Sequence, residues 1–233
     1  MHVPDGFLDA PTSVATAAVA AGGVALALRG ARRELDERTA PLAGLTAAFV
    51  FAVQMVNVPV GAGTSGHLMG GLLAAVLVGP WTAVLCMTVV LMIQALLFAD
   101  GGLTALGTNV TLLGLVAIAV GWAVFRLLAA VLPTTRGGVL AAAGTAAFVS
   151  VPVAALAFVG LFAVGGVAEV AVGTVAAAMG GVHVLIGLGE AAITVAVVGA
   201  VLAVRPDLVH GARALRRAAL LAERPTSVPA GAR

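Results

Sequence analysis

The chain has 233 residues, 61% of them apolar and only 9% charged, with a formal net charge of +2. A soluble domain carries roughly 25% charged residues, so this composition cannot cover a water-facing surface and assigns the chain to a membrane. The basic residues are all arginine and fall at helix ends, in loops between apolar segments or in the tail. That is a topology signal rather than a nucleic-acid footprint, so no nucleic-acid partner is expected. The single cysteine, Cys86, leaves no internal disulfide and no cysteine-cluster metal site.

In chain order, the opening MHVPDGFLD presents His2, then Pro4-Asp5-Gly6, which reads as a tight turn. Its two aspartates and lack of arginine are the reverse of a secretory n-region, so no signal peptide is expected. Apolar segments follow at 10–29, 41–60, 68–79, 81–98, 108–132, 138–164 and 174–204. A span takes ~20 helical residues, which every segment but 68–79 approaches or exceeds. Gly79-Pro80 divides that short segment from the next, because proline restricts the residue before it and donates no hydrogen bond.

Seven segments with the N-terminus outside put every arginine inside or at an adjoining helix end. The outside stretches 1–9, 61–67, 99–107 and 165–173 then hold acidic residues and no basic one. Fusing 68–79 with 81–98 would send Arg126, Arg136 and the tail outside. The expected architecture is therefore an all-α integral membrane protein of seven transmembrane helices, one short, with the C-terminus cytoplasmic. Residues 1–204 form a single membrane domain. Residues 205–233 form a basic cytoplasmic tail, read either as an amphipathic surface helix or as a solvated anchor.

The informative residues are the few polar groups in this apolar background, since each is costly in lipid and needs a partner. Met1-His2 has the makings of a chelator. The α-amine, the deprotonated His2 backbone nitrogen and the imidazole Nδ1 close two fused rings and offer three nitrogens in one plane. A fourth nitrogen completes a square-planar set suited to Ni(II) or Cu(II), with Co(II) reachable. His67, in PVGAGTSGHLMGG, lies at the same outer face and is the obvious candidate, although taken alone His2 reads more readily as a surface residue and His67 as an ordinary loop or helix-end residue. The site needs Met1 retained, which the bulky second residue favours.

Around it, Ser65, Asn57, Gln94, Asp100 and Asn109 are candidates for support or a metal path. His183 and Glu190 lie seven residues apart, on one face of the last span. They read equally as a structural polar link or as part of a metal path. Ala43, Ala47, Ala48 and Ala52 put small residues on faces of the second helix, suited to packing within the bundle or against a partner helix. GAGTSGHL, residues 61–68, nearly fits a phosphate loop but lacks its lysine and Mg-binding hydroxyl, so no ATPase site is expected. HExxH is absent, and Ser65 has no serine-hydrolase setting, so no enzyme is expected either.

MHVPDGFL, NVPVGAGTSGHLMGG, LLFADGGLTALGTNV and HVLIGLGEAAIT together resemble the cobalt/nickel substrate-binding membrane component, or S component, of energy-coupling factor (ECF) transporters, the CbiM/NikM type. The resemblance runs from Met1 to about residue 204. It implies an ECF S-component-like bundle with an extra first helix, and an N-terminal loop, 1–9, tucked into it. It also implies metal held by Met1, His2 and His67, with Ni(II) or Co(II) as cargo and no organic cofactor. The implied partners are a transmembrane scaffold subunit, cytoplasmic ATPase subunits and a small accessory membrane component, in a bacterial or archaeal cell membrane. The competing expectation is an autonomous channel or ion-coupled carrier using His183 and Glu190.

Overall fold

Helix boundaries fall where the chain supplies caps and breakers. The computed structural model describes residues 2–37, 39–61 and 64–222. Helix α1 (Ala10–Ala31) starts at Asp9, whose carboxylate accepts the Thr12 backbone N–H at 2.8 Å. Its proline in the first turn has a φ already suited to a helix start. Helix α2 (Thr39–Gln54) stops short of the expected segment end at 60. The chain instead forms a two-stranded antiparallel hairpin, β1 (Val58–Gly61) and β2 (Thr64–Gly66). Val58, Pro59 and Val60 read as apolar span residues in the sequence, but Pro59 lacks the N–H a continuing helix needs.

The short segment is a separate helix, α3 (Gly71–Val78), and all of its residues are buried. Eight residues rise only ~12 Å, so α3 by itself is shorter than a hydrocarbon core; it packs against α2, α4, α6, α7 and α8. Gly79 (φ +101°), before Pro80, turns the chain into α4 (Pro80–Leu97). A side chain at Gly79 would collide with Glu34, whose carboxylate accepts the Thr82 N–H at 2.7 Å and the Thr82 hydroxyl at 2.9 Å. Glu34 thereby ties the end of α1 to the start of α4.

The next rod, Leu106–Val131, is continuous. It begins as α5 (Leu106–Asn109), loosens to a π-helical stretch over Val110–Val116 and resumes as α6 (Ala117–Val131). Helices α7 (Arg136–Gly165, with Pro152 inside it) and α8 (Val172–Val204) pack along each other as the longest hairpin. Two 3-10 turns then lead to α9 (Arg213–Ala222). Part of the tail, read from sequence as either a surface helix or a solvated anchor, is helical over Arg213–Ala222, while 223–233 lie outside the described residues.

Among the described residues five helices are long and apolar enough to cross a membrane: Ala10–Ala31, Pro80–Leu97, Leu106–Val131, Arg136–Gly165 and Val172–Val204; Thr39–Gln54 is shorter but apolar. The core is built from Leu72, Leu73, Met87, Leu91, Leu112, Leu113, Phe125, Phe158 and Met179. Small residues set the helix spacing. A Cβ placed on Gly107 would fall on the Ala17 backbone of α1, whereas one on Gly22 would meet nothing within 4 Å. Gly107→Val is therefore expected to wedge α1 from α5 and destabilise the protein by about 1–3 kcal/mol, the usual cost of overpacking. Gly22→Ala should leave the thermal midpoint in detergent unchanged or higher, so comparing the two variants checks this packing.

Candidate metal centre

The N-terminal segment enters the bundle without regular secondary structure and is held there by a side chain. Asn109, at the end of α5, accepts the Val3 N–H at 2.7 Å and donates its own N–H to the Val3 carbonyl at 3.1 Å. Gly102 N–H donates to the same carbonyl at 2.9 Å. The expected Pro4-Asp5-Gly6 turn is present, with Gly6 at φ +72°, and Asp5 accepts the Thr104 N–H at 2.7 Å. Phe7 sits 5.7 Å from the Phe158 ring and 5.4 Å from the Phe162 ring. Asp9 N–H bonds the Gly165 carbonyl at 2.7 Å. These contacts tie residues 3–9 to the α4–α5 loop and to the end of α7.

His2 is consequently buried (7% exposed) and stacks on His67 (1% exposed), with ring centroids 4.3 Å apart. The His67 Nδ1–H donates to the Leu68 carbonyl at 2.8 Å. A carbonyl can only accept, so this bond fixes the tautomer and leaves the Nε2 lone pair free. That nitrogen is buried with no hydrogen-bond partner among the described residues. His2 Nδ1 lies 3.0 Å from Asp100 Oδ1, and its Nε2 is also unpartnered. Burial lowers the His2 pKa, against the upward pull of Asp100, and pushes the His67 pKa well below its ordinary value. Asp100 is held below the usual carboxylate range by its bond to His2. It is set in place by a left-handed turn, Ala99 at φ 52° and Gly101 at φ +93°. Two buried imidazoles, each with an Nε2 that has no hydrogen-bond partner among the described residues, are a costly arrangement.

The His67 loop is clamped from two helices. Glu190 of α8 accepts the Met69 N–H at 2.8 Å and the Gly70 N–H at 2.6 Å. Gln54 of α2 donates to the Met69 carbonyl at 2.6 Å. Gly70, at φ +73°, provides the left-handed turn that aims both amides at Glu190. Glu190 therefore serves the loop and makes no bond to His183, whose Nδ1–H donates to the Met179 carbonyl at 2.8 Å. The His183 ring approaches the β2 end of the hairpin at Gly66, and its Nε2 is unpartnered.

Of the other expected site residues, Asn57 is exposed and donates to Asp100 Oδ2 at 3.4 Å. Gln94 is buried beside the His2 ring. Ser65 lies in β2, with its side chain outside the described part, and Met1 lies outside the described residues. The small-residue faces of α2 divide: Ala43 and Ala47 pack on the core, while Ala48 and Ala52 face outward with Leu45 and Phe49.

Among the described residues no group of three or more His, Cys, Asp or Glu side chains is arranged to hold a metal. Val3, Asp5 and Thr104 were missed from sequence. Their contacts join residues as much as 106 positions apart, and a single sequence carries no signal for that pairing.

Several apolar spans, an N-terminal segment folded into the bundle and a buried imidazole pair define a multi-pass membrane protein. Two solved structures share this fold. A truncated transition metal transporter is 31% identical, with a TM-score of 0.78, over 87% of this chain and 98% of that one. A transition metal transporter is 30% identical, with a TM-score of 0.79, over 88% and 93%. The family described as cobalt uptake substrate-specific transmembrane region, CbiM, matches residues 2–208, and the chain belongs to it. Similar proteins include a putative metal transport protein of Haloquadratum walsbyi, 40% identical over 90% of this chain and 93% of that one. A putative fused nickel transport protein of Archaeoglobus fulgidus is 39% identical over 90% and 68%.

Removing the clamp has a readout independent of metal. Glu190→Ala leaves the Met69 and Gly70 amides buried without acceptors, at about 1–3 kcal/mol each. Hydrogen exchange of residues 67–71 should speed up by at least an order of magnitude, with α6 and α7 protected as before.

Proposed function

We propose that this chain is the substrate-specific subunit of an ECF-type uptake transporter. It captures Ni(II) or Co(II) at the extracellular face through the Met1 amine, the His2 backbone nitrogen and imidazole, and His67. The observation that supports this most is the pair of stacked, buried imidazoles at the end of a pinned N-terminal segment, with the His67 tautomer fixed so that Nε2 is available. Asp100 touches the His2 nitrogen that closes the chelate ring. Loading would exchange that contact for a coordinate bond, leaving Asp100 to orient the segment and balance charge.

We read the topology as seven helices with the N-terminus outside, which would put the site outside and the arginines in the cytoplasm. Without a phosphate loop of its own, the chain would depend on a scaffold subunit and ATPases for energy. The outward Ala48 and Ala52 face of α2 is the place we assign to the scaffold, and a small accessory membrane component is a further partner. Names of similar proteins support both metals: cobalt transport protein CbiM in Sorangium cellulosum and fused nickel transport protein NikMN in Rhodobacter capsulatus. The carrier reading built on His183 with Glu190 loses support from the geometry, since both Glu190 oxygens are occupied by the loop amides.

Nickel or cobalt titration of the purified chain tests this directly. Acetylating the terminus, or adding one residue before Met1, should abolish tight binding while thermal unfolding stays unchanged; tight binding by the blocked protein would end the proposal. Affinity should be full in mildly alkaline solution and fall as pH drops. The amine takes up a proton near its reference value of about 7.8, weakening binding about tenfold per pH unit for each proton displaced. The imidazoles join only below their ordinary ~6.5, because burial lowers both. Calorimetry between mildly alkaline and mildly acidic pH reads this profile.

A further inference from the structure

At the other end of α1 from the candidate metal centre, ~33 Å away by helix rise, two clefts join. One, about 390 Å³, is lined by Gly23, Leu26, Val84, Leu115 and Ile118, with Pro80, Trp81 and Trp122 at its edge. The other, about 430 Å³, shares Pro80, Trp81 and Trp122 with it and is lined by Arg29, Arg33, Arg126 and Arg213. Four guanidinium groups from three separate stretches of chain converge there. None of them has an ion-pair partner among the described residues. The only carboxylate in that lining, Glu34, is buried and turned into the start of α4, where it accepts the Trp81 and Thr82 amides. The clefts therefore form one amphiphilic groove, apolar where α1, α4 and α6 face lipid and cationic at the bundle end, with an indole pair at the junction.

We propose that this groove binds one anionic glycerophospholipid: its phosphodiester headgroup among the four arginines, an acyl chain along Leu26, Val84 and Leu115. The charge complementarity and the apolar-to-basic gradient select a lipid over a soluble anion. A free phosphate would leave the apolar half unfilled, and an acidic protein segment would not enter a cleft open to the hydrocarbon layer. Basic pockets between transmembrane helices are suited to such headgroups, and indoles to the interface. The inference is independent of the metal reading, because it uses neither the metal site nor its ligands.

The chain has two tryptophans in all, and both line the groove, so their fluorescence reports its occupant. The protein would be placed in phosphatidylcholine nanodiscs at 150 mM salt with a few mole per cent of phosphatidylglycerol brominated on its acyl chains. Equally brominated phosphatidylcholine is the control. Quenching by the anionic lipid should saturate at low mole fraction and exceed the control, the preference being on the order of fivefold per engaged arginine. Arg29→Ala with Arg126→Ala should remove most of it, while Arg32→Ala, whose residue lies outside the groove lining, should not. The thermal midpoint of each variant in detergent separates groove loss from misfolding. Equal quenching by the two lipids would overturn the proposal. So would displacement by millimolar glycerol phosphate, which identifies a soluble phosphate site, or an anionic preference that the double variant keeps.

Discussion

A carboxylate buried in an apolar bundle is tolerated only where protein donors replace water. Glu190 meets that condition with the two amides of Met69 and Gly70, and the rest of the site depends on it. The bond fixes the turn that follows His67, and Gln54 completes the clamp from the opposite side by bonding the Met69 carbonyl. The His67 ring can then donate only to Leu68, so its other nitrogen points away unshared. A structural ion pair on the same residues would be a weaker device, because two long side chains would retain freedom that backbone amides do not have.

The same logic organises the N-terminal segment. A non-helical segment inside a helical bundle has main-chain groups that no helix satisfies. Asn109 supplies both a donor and an acceptor to Val3, as a neighbouring strand would, and the α4–α5 loop supplies Gly102. The π-helical stretch starts directly after Asn109. Such bulges are frequent at functional sites, and this one begins where a helix residue has turned its amide toward the inserted segment. The same bonds hold the N-terminal segment in the core and place His2 against His67.

Much of the architecture was legible residue by residue. Gly79-Pro80 separates α3 from α4 as expected, and Pro4-Asp5-Gly6 makes its turn. The apolar segments from 81 onward begin and end within two residues of the helical rods they became. The second segment was read too long, since apolar composition cannot tell the end of a helix from a β-hairpin when side chains of both are apolar. Asp100 and Asn109 stood out as polar residues in apolar surroundings, but nothing in their spacing said that one would hold His2 and the other Val3. His183 and Glu190 share a helix face by periodicity, yet their bonds go to different partners, because a helix face has width and the neighbours on it differ.

The sequence by itself determined that this is a membrane protein. Its composition leaves no water-facing surface, and its prolines, glycines and arginines mark where the chain turns and which end of the bundle is basic. Only the tertiary structure decided that His2 stacks on His67 and that Glu190 serves the loop rather than His183. The same holds for the four arginines that share one groove. The physical reason is that lipid offers no hydrophobic drive to sort one apolar helix against another. The arrangement is set by close packing at small residues and by hydrogen bonds between distant parts of the chain, and neither leaves a periodic trace in a single sequence.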